Sequence, residues 1–191
     1  KAAIDACRVG QPYNAPHDTA RRVLAEGLIQ LGVIKQSLDE ALDPETGELR
    51  WWYMHNTGHW LGLDVHDVGV YRPNGEPRLL EPGMVLTVEP GLYFGAWRPD
   101  VSCPPRYADI GIRIEDDVLV TEAGPVVLSD ACPKELDDLE GIIEDICLDP
   151  TADRGLRAVV EEIKPFPLKR LVTRVVLIGA RVGCHGNGHQ E

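Results

Sequence analysis

The chain has 191 residues, a formal net charge of −12 and 43% apolar residues, enough for one globular domain or a domain with a tail. It lacks the clustered Lys and Arg that nucleic acid or an anionic membrane surface requires, and no run reaches the ~20 apolar residues of a membrane span. The five cysteines are odd in number and widely spaced with no C-x-x-C, which excludes a disulfide framework or zinc ribbon and points to a reducing, cytoplasmic setting.

Lys1 to about Val9 reads as the end of a helix, and a start on Lys inside a helix reads as a piece of something longer. "GQPYNAPHD" is rich in turn residues. Residues 16–31 form a helical pattern, with Val23, Leu24, Leu28 and Leu31 on one face, Asp18 near the start and Gly32 past the end. "SLDEALDPETGELR" predicts a short helix, then a turn at "PETGE". After Trp52 the period becomes two. His59, Leu61, Leu63 and Val65 share one face of a predicted strand, and Trp60, Gly62, Asp64 and His66 the other. "EPGMVLTVEPGLYF" predicts a turn, a strand and a break at Pro90-Gly91. "GIRIEDDVLVTEAGPVVL" predicts two or three short strands, and Cys132 to Leu148 an acidic helix with Pro133 at its start. Residues 151–191 carry seven Lys/Arg against four Asp/Glu, a balance of +3 that leaves −15 on residues 1–150. Helices, then a mostly antiparallel sheet, then a helix predict an α+β domain. Residues 144–191 read as a helix end and an unrecognised tail, compatible with disorder.

His55 and His59 are spaced i, i+4, but Asn56 and Gly58 within that spacing and extended flanks exclude the helical H-E-x-x-H zinc motif. On a strand both rings share a face. His66 falls on the opposite face unless Gly62 hosts a bulge or bend that re-aims it. Three histidines alone are compatible with a structural role. Glu89 adds weight, because it lies in an apolar strand and a buried, unpaired carboxylate costs several kcal/mol. It needs a cation, a set of donors or a metal; a salt bridge to Arg is the plain alternative. In "GIRIEDD", Ile112 and Ile114 take one face and Gly111, Arg113 and Glu115 the other, and Arg113 pairing with Glu115 is again the plain alternative. Two carboxylates and a histidine otherwise make an N/O ligand set suited to manganese, cobalt or zinc.

"MHNTGHWLGLDVHDVGVY", "LEPGMVLTVEPGLYF" and "GIRIEDDVLVTEAG", in this order, closely resemble the C-terminal part of the catalytic domain in the aminopeptidase P (Xaa-Pro aminopeptidase) family. These are pita-bread metallopeptidases, with prolidase and methionine aminopeptidase. The likeness runs from about Lys1 to about Ile143 and implies a partial pita-bread (creatinase/aminopeptidase-like) fold. The resemblance implies a dinuclear site, usually of Mn2+, with His59 and Glu89 on one metal and Glu115 bridging both. Glu89 is also the implied general base. His55 and His66 would contact the substrate and the tetrahedral intermediate, and Arg113 would hold the carboxylate network. The implied reaction removes the N-terminal residue from a peptide with proline second, and the implied full-length parent is a homo-oligomer.

The family's remaining ligands are two aspartates separated by ten residues. Asp5, Asp18, Asp39 and Asp43 contain no such pair. Three of five ligands remain, so one Mn2+ or none is expected on this chain alone, with little peptidase activity. A half-sheet with an open edge is expected to self-associate unless another chain completes it. Two alternatives stand beside this reading: a non-catalytic pita-bread binding module, and a prolidase-type dipeptidase. "CHGNGH" near the C-terminus has too few ligands for a structural zinc site.

Overall fold

The computed structural model describes residues 1–95, 101–139 and 141–142. Three helices open the chain: α1 (Ala2–Asp5), α2 (Ala15–Gln30) and α3 (Leu38–Ala41). Pro16 suits the first turn of α2, where its missing N–H is not needed. Its far end is closed by Gly32 at φ +69, with Gly32 N–H donating to the Ile29 carbonyl and Val33 N–H to the Leu28 carbonyl. That pair of bonds satisfies carbonyls the helix leaves orphaned. Ala20, Ala25 and Leu28 of α2 are buried, whereas Val23 and Leu31, expected on the apolar face, are exposed. The core side of α2 thus lies one residue further round. Ser37 and Glu40 form a reciprocal capping box at α3.

Five strands come next: β1 (Val85–Val88), β2 (Gly91–Phe94), β3 (Ile110–Arg113), β4 (Asp116–Thr121) and β5 (Gly124–Val127). They form two antiparallel sheets, β1-β4-β5 and β2-β3. The ladders run Val88↔Asp116 and then Gly91↔Arg113, so both partners skip two residues at one level. Pro90 has no N–H to continue the ladder, and the Glu89 N–H turns away to the Thr57 carbonyl at 2.6 Å. The mixed helix and antiparallel-sheet architecture is the expected α+β class.

Two apolar clusters flank this break. One joins Cys7, Trp60, Leu80, Leu86, Val118 and Val120; the other joins Leu28, Ile34, Leu49, Trp52, Tyr53 and Phe94. Ile112 and Ile114 are exposed beside a groove that Ile4, Leu24 and Leu92 also line.

Residues 59–66 are not the predicted strand. Trp60 makes one isolated bridge to Leu86, then the chain bends, leaving Leu63 and Val65 exposed. The predicted acidic helix starts at Leu136 rather than near Pro133, because Lys134 is drawn to Ser129 and Asp116. Its far part and the tail, including "CHGNGH", lie outside the described residues. Among the described residues, no helix is long and apolar enough to cross a membrane.

Candidate metal centre

Glu89 comes directly after β1 and Glu115 directly before β4, so both carboxylates sit in the shared break between the ladders. His59 reaches them from the segment lying along β1, where the Thr87 N–H donates to the His59 carbonyl at 3.0 Å. One ligand atom from each of His59, Glu89 and Glu115 lies within 4.8 Å of the others. His59 Nε2 is 3.4 Å from Glu89 Oε1. His59 Nδ1 lies 2.9 Å from the Trp60 carbonyl oxygen. A carbonyl only accepts, so this bond places the proton on Nδ1 and leaves the Nε2 lone pair facing the carboxylates.

Thr87 links the two walls. Its Oγ1 accepts from the His59 N–H at 3.1 Å and donates to Glu89 Oε1 at 3.0 Å. Arg113 Nε approaches Glu89 Oε2 to 3.8 Å. The Glu89 side chain is 14% exposed, while Glu115 stands at the exposed rim. Partial burial, then the neighbouring Glu89 charge, push the Glu115 carboxyl above its usual range. Two converging carboxylates and an aimed imidazole lone pair fit a divalent cation, which would relieve that repulsion.

His55 Nδ1 donates to the Asn56 carbonyl at 2.7 Å, so Nε2, 2.9 Å away, accepts from the Tyr93 hydroxyl. Burial pushes the Tyr93 hydroxyl up, and the nearby Arg113 guanidinium partly offsets this. The His66 ring lies 4.1 Å from the His59 ring, centre to centre, although seven residues separate them. The bend at Gly62 brings it back, with the Asp67 N–H closing onto the Trp60 carbonyl at 3.0 Å. A Cβ at Gly62 would meet Asp67 Oδ2 at 1.9 Å, so a larger residue there has to displace that carboxylate.

Several contributors escaped the sequence reading. Tyr93, Thr87, Tyr13, Thr57 and His17 all support the site. Tyr13 donates to the Gly58 carbonyl at 2.7 Å, and the Thr57 hydroxyl bonds both Tyr53 and His17. Thr87 alone carried a local signal, a hydroxyl two residues before the carboxylate on its strand face. A 550 Å3 cavity opens beside His59, lined also by Tyr13, His17, Arg21, Tyr71 and Arg72.

Residues 1–122 match metallopeptidase family M24. The chain is 43% identical over 143 residues to a Xaa-Pro aminopeptidase of Haemophilus influenzae, covering 75% of this chain and 32% of that protein. Against the Escherichia coli Xaa-Pro aminopeptidase it is 47% identical over 122 residues, covering 64% and 26%. Among solved structures, the Pseudomonas aeruginosa aminopeptidase PepP superposes with a TM-score of 0.67 at 40% identity, covering 84% of this chain and 32% of that one. Zinc-substituted Escherichia coli aminopeptidase P in complex with product gives 0.64 at 41% identity, covering 75% and 31%. The chain therefore spans between about a quarter and a third of the length of these relatives.

Proposed function

Because this chain belongs to metallopeptidase family M24, with the pita-bread architecture of its aminopeptidase P neighbours, we propose that it forms part of a metal-dependent aminopeptidase that releases the N-terminal residue from peptides with proline second. The convergence of His59, Glu89 and Glu115 carries this reading.

His59 Nε2 and the carboxylates of Glu89 and Glu115 would hold the cation, which we assign as Mn2+ from the oxygen-rich donor set. Once bound, the cation supplies Lewis acidity for amide hydrolysis. Thr87 and Arg113 hold Glu89 in orientation, and Glu89 takes the proton of the attacking water. His55, steadied by Tyr93, and His66, folded back at Gly62, contact the substrate around the scissile amide. The free thiols of Cys7, Cys103 and Cys132 fit a cytoplasmic setting. Self-association belongs to this reading and is supported by the exposed Ile112 and Ile114; a monodisperse monomer in sedimentation counts against it.

Calorimetric titration with Mn2+ tests the centre. One weak site per chain that His59→Ala abolishes is expected. Two tight sites, or binding that survives His59→Ala, overturns the assignment.

A further inference from the structure

Val88 and Asp116 are the last register pair of the β1–β4 ladder. Glu89 comes directly after the first and Glu115 directly before the second, so the separation of the two carboxylates depends on how this pair is held. Asp116 is a buried charge, 7% exposed. Its Oδ1 accepts from Ser129 Oγ at 2.7 Å and from Lys134 Nζ at 2.8 Å. Lys134 Nζ also donates to the Ser129 carbonyl at 2.8 Å. Ser129 Oγ accepts from the Asp117 N–H at 3.1 Å, closing the ring back onto β4. The segment after β5 is thereby fastened to the residue next to Glu115.

Asp116 is not among the residues whose ligand atoms converge at the centre, and its Oδ1 is already taken by two donors. Unpaired, it would be a third negative charge beside two carboxylates that already repel. Lys134 cancels that charge and fixes the strand by the same contact. The carboxylate raises the Lys134 pKa, so the ammonium stays charged through the neutral range.

We propose that Asp116, Ser129 and Lys134 form a clamp of positioning residues that sets the Glu89–Glu115 separation and thereby the cation affinity of the centre. The proposal rests on the metal-centre reading. A purely structural fastening would tie down the segment after β5 without affecting the ligands.

Mn2+ binding to the 191-residue chain, followed by water-proton relaxation enhancement, separates these roles when urea unfolding without metal is measured in parallel. Lys134→Met should weaken Mn2+ binding about tenfold or more, the range seen when groups supporting metal ligands are lost. Lys134→Arg, which keeps the charge and a donor, should restore most of the affinity. Ser129→Ala, which keeps both charges, should weaken binding less than Lys134→Met and keeps the test open if that variant fails to fold. Lower stability in Lys134→Met and Ser129→Ala with unchanged Mn2+ affinity overturns the clamp. No enhancement that His59→Ala abolishes, even in the unsubstituted chain, defeats the metal-centre reading, and the clamp with it.

Discussion

Glu89 and Glu115 occupy matched gaps in two facing strands, each between a residue paired in one ladder and a residue paired in the next. Side chains alternate on a regular strand, and neighbouring backbones bond each other. In the gap both constraints lapse, and two carboxylates can converge. Among the described residues, one long backbone bond crosses it, from the Ile114 N–H to the Pro90 carbonyl at 3.4 Å. The candidate centre therefore lies where the sheet is weakest, and its order depends on contacts from outside the sheet.

Thr87 is the most exposed to test of those contacts. Thr87→Val keeps the shape but removes an acceptor for the His59 N–H and a donor to Glu89. Thr87 is 2% exposed, so the stranded partners gain little from water. A loss of about 1–3 kcal/mol in urea unfolding is expected, with weaker Mn2+ binding. Unchanged affinity would show that the hydroxyl supports the strand but not the ligands.

Glu115 makes metal removal informative. Its carboxyl is pushed up by burial and by Glu89, so the metal-free centre carries a repulsion that Glu115→Gln relieves. That variant is expected to bind Mn2+ at least about tenfold more weakly. In chelator at neutral pH it should be as stable as the parent or more so. A destabilised metal-free variant would mean that the charge of Glu115 serves the fold.

Much of this was legible because local chemistry decides it. Pro16 and Gly32 bracket α2, and Pro90 breaks the strand where the residue pattern places the break. Glu89 stands out as a carboxylate in an apolar strand, and Glu115 as one sharing a predicted strand face with Arg113. The stretch from His59 to His66 misled because alternation signals a strand only when a partner pairs along it, and here the pairing with β1, through His59, Trp60 and Leu61, stops at Leu61. Past Trp60 the chain bends, and Asp67 fixes the bend through contacts that alternation cannot express. Tyr93 reaches His55 from 38 residues away, and His17 reaches Thr57 from 40, so neither leaves a trace in local spacing.

Two glycines near the candidate ligands should respond differently to alanine. A Cβ at Gly58 would lie 1.9 Å from the Thr87 carbonyl oxygen, a backbone atom of a buried strand. A Cβ at Gly62 would meet the Asp67 carboxylate, the end of a side chain that can swing away. Gly58→Ala is therefore expected to cost about 3 kcal/mol, the upper part of the overpacking range, and Gly62→Ala clearly less. The smaller cost should come with a displaced His66, read as a change in its imidazole NMR shifts. Equal costs in urea unfolding would refute the distinction.

His17 gives the fold a pH dependence whose sign is fixed. Its Nδ1 lies 2.9 Å from Thr57 Oγ1 and 3.5 Å from the Tyr53 hydroxyl. Burial lowers its pKa, Arg21 and His55 lower it further, and Asp18 partly offsets them. In the unfolded chain it titrates near the ordinary ~6.5. Between that value and the lower folded one, the unfolded state binds more protons, so stability rises with pH. The contribution is fully present above the unfolded pKa and is lost as pH falls toward the folded one. Glu115, with its raised pKa, acts in the opposite sense, losing stability as pH rises. The informative quantity is therefore the difference between the parent and His17→Gln, which stays neutral and can still bond Thr57. Between pH 7 and pH 5, urea midpoints of the metal-free parent should fall more steeply than those of the variant. Parallel curves would show that His17 is protonated equally in both states.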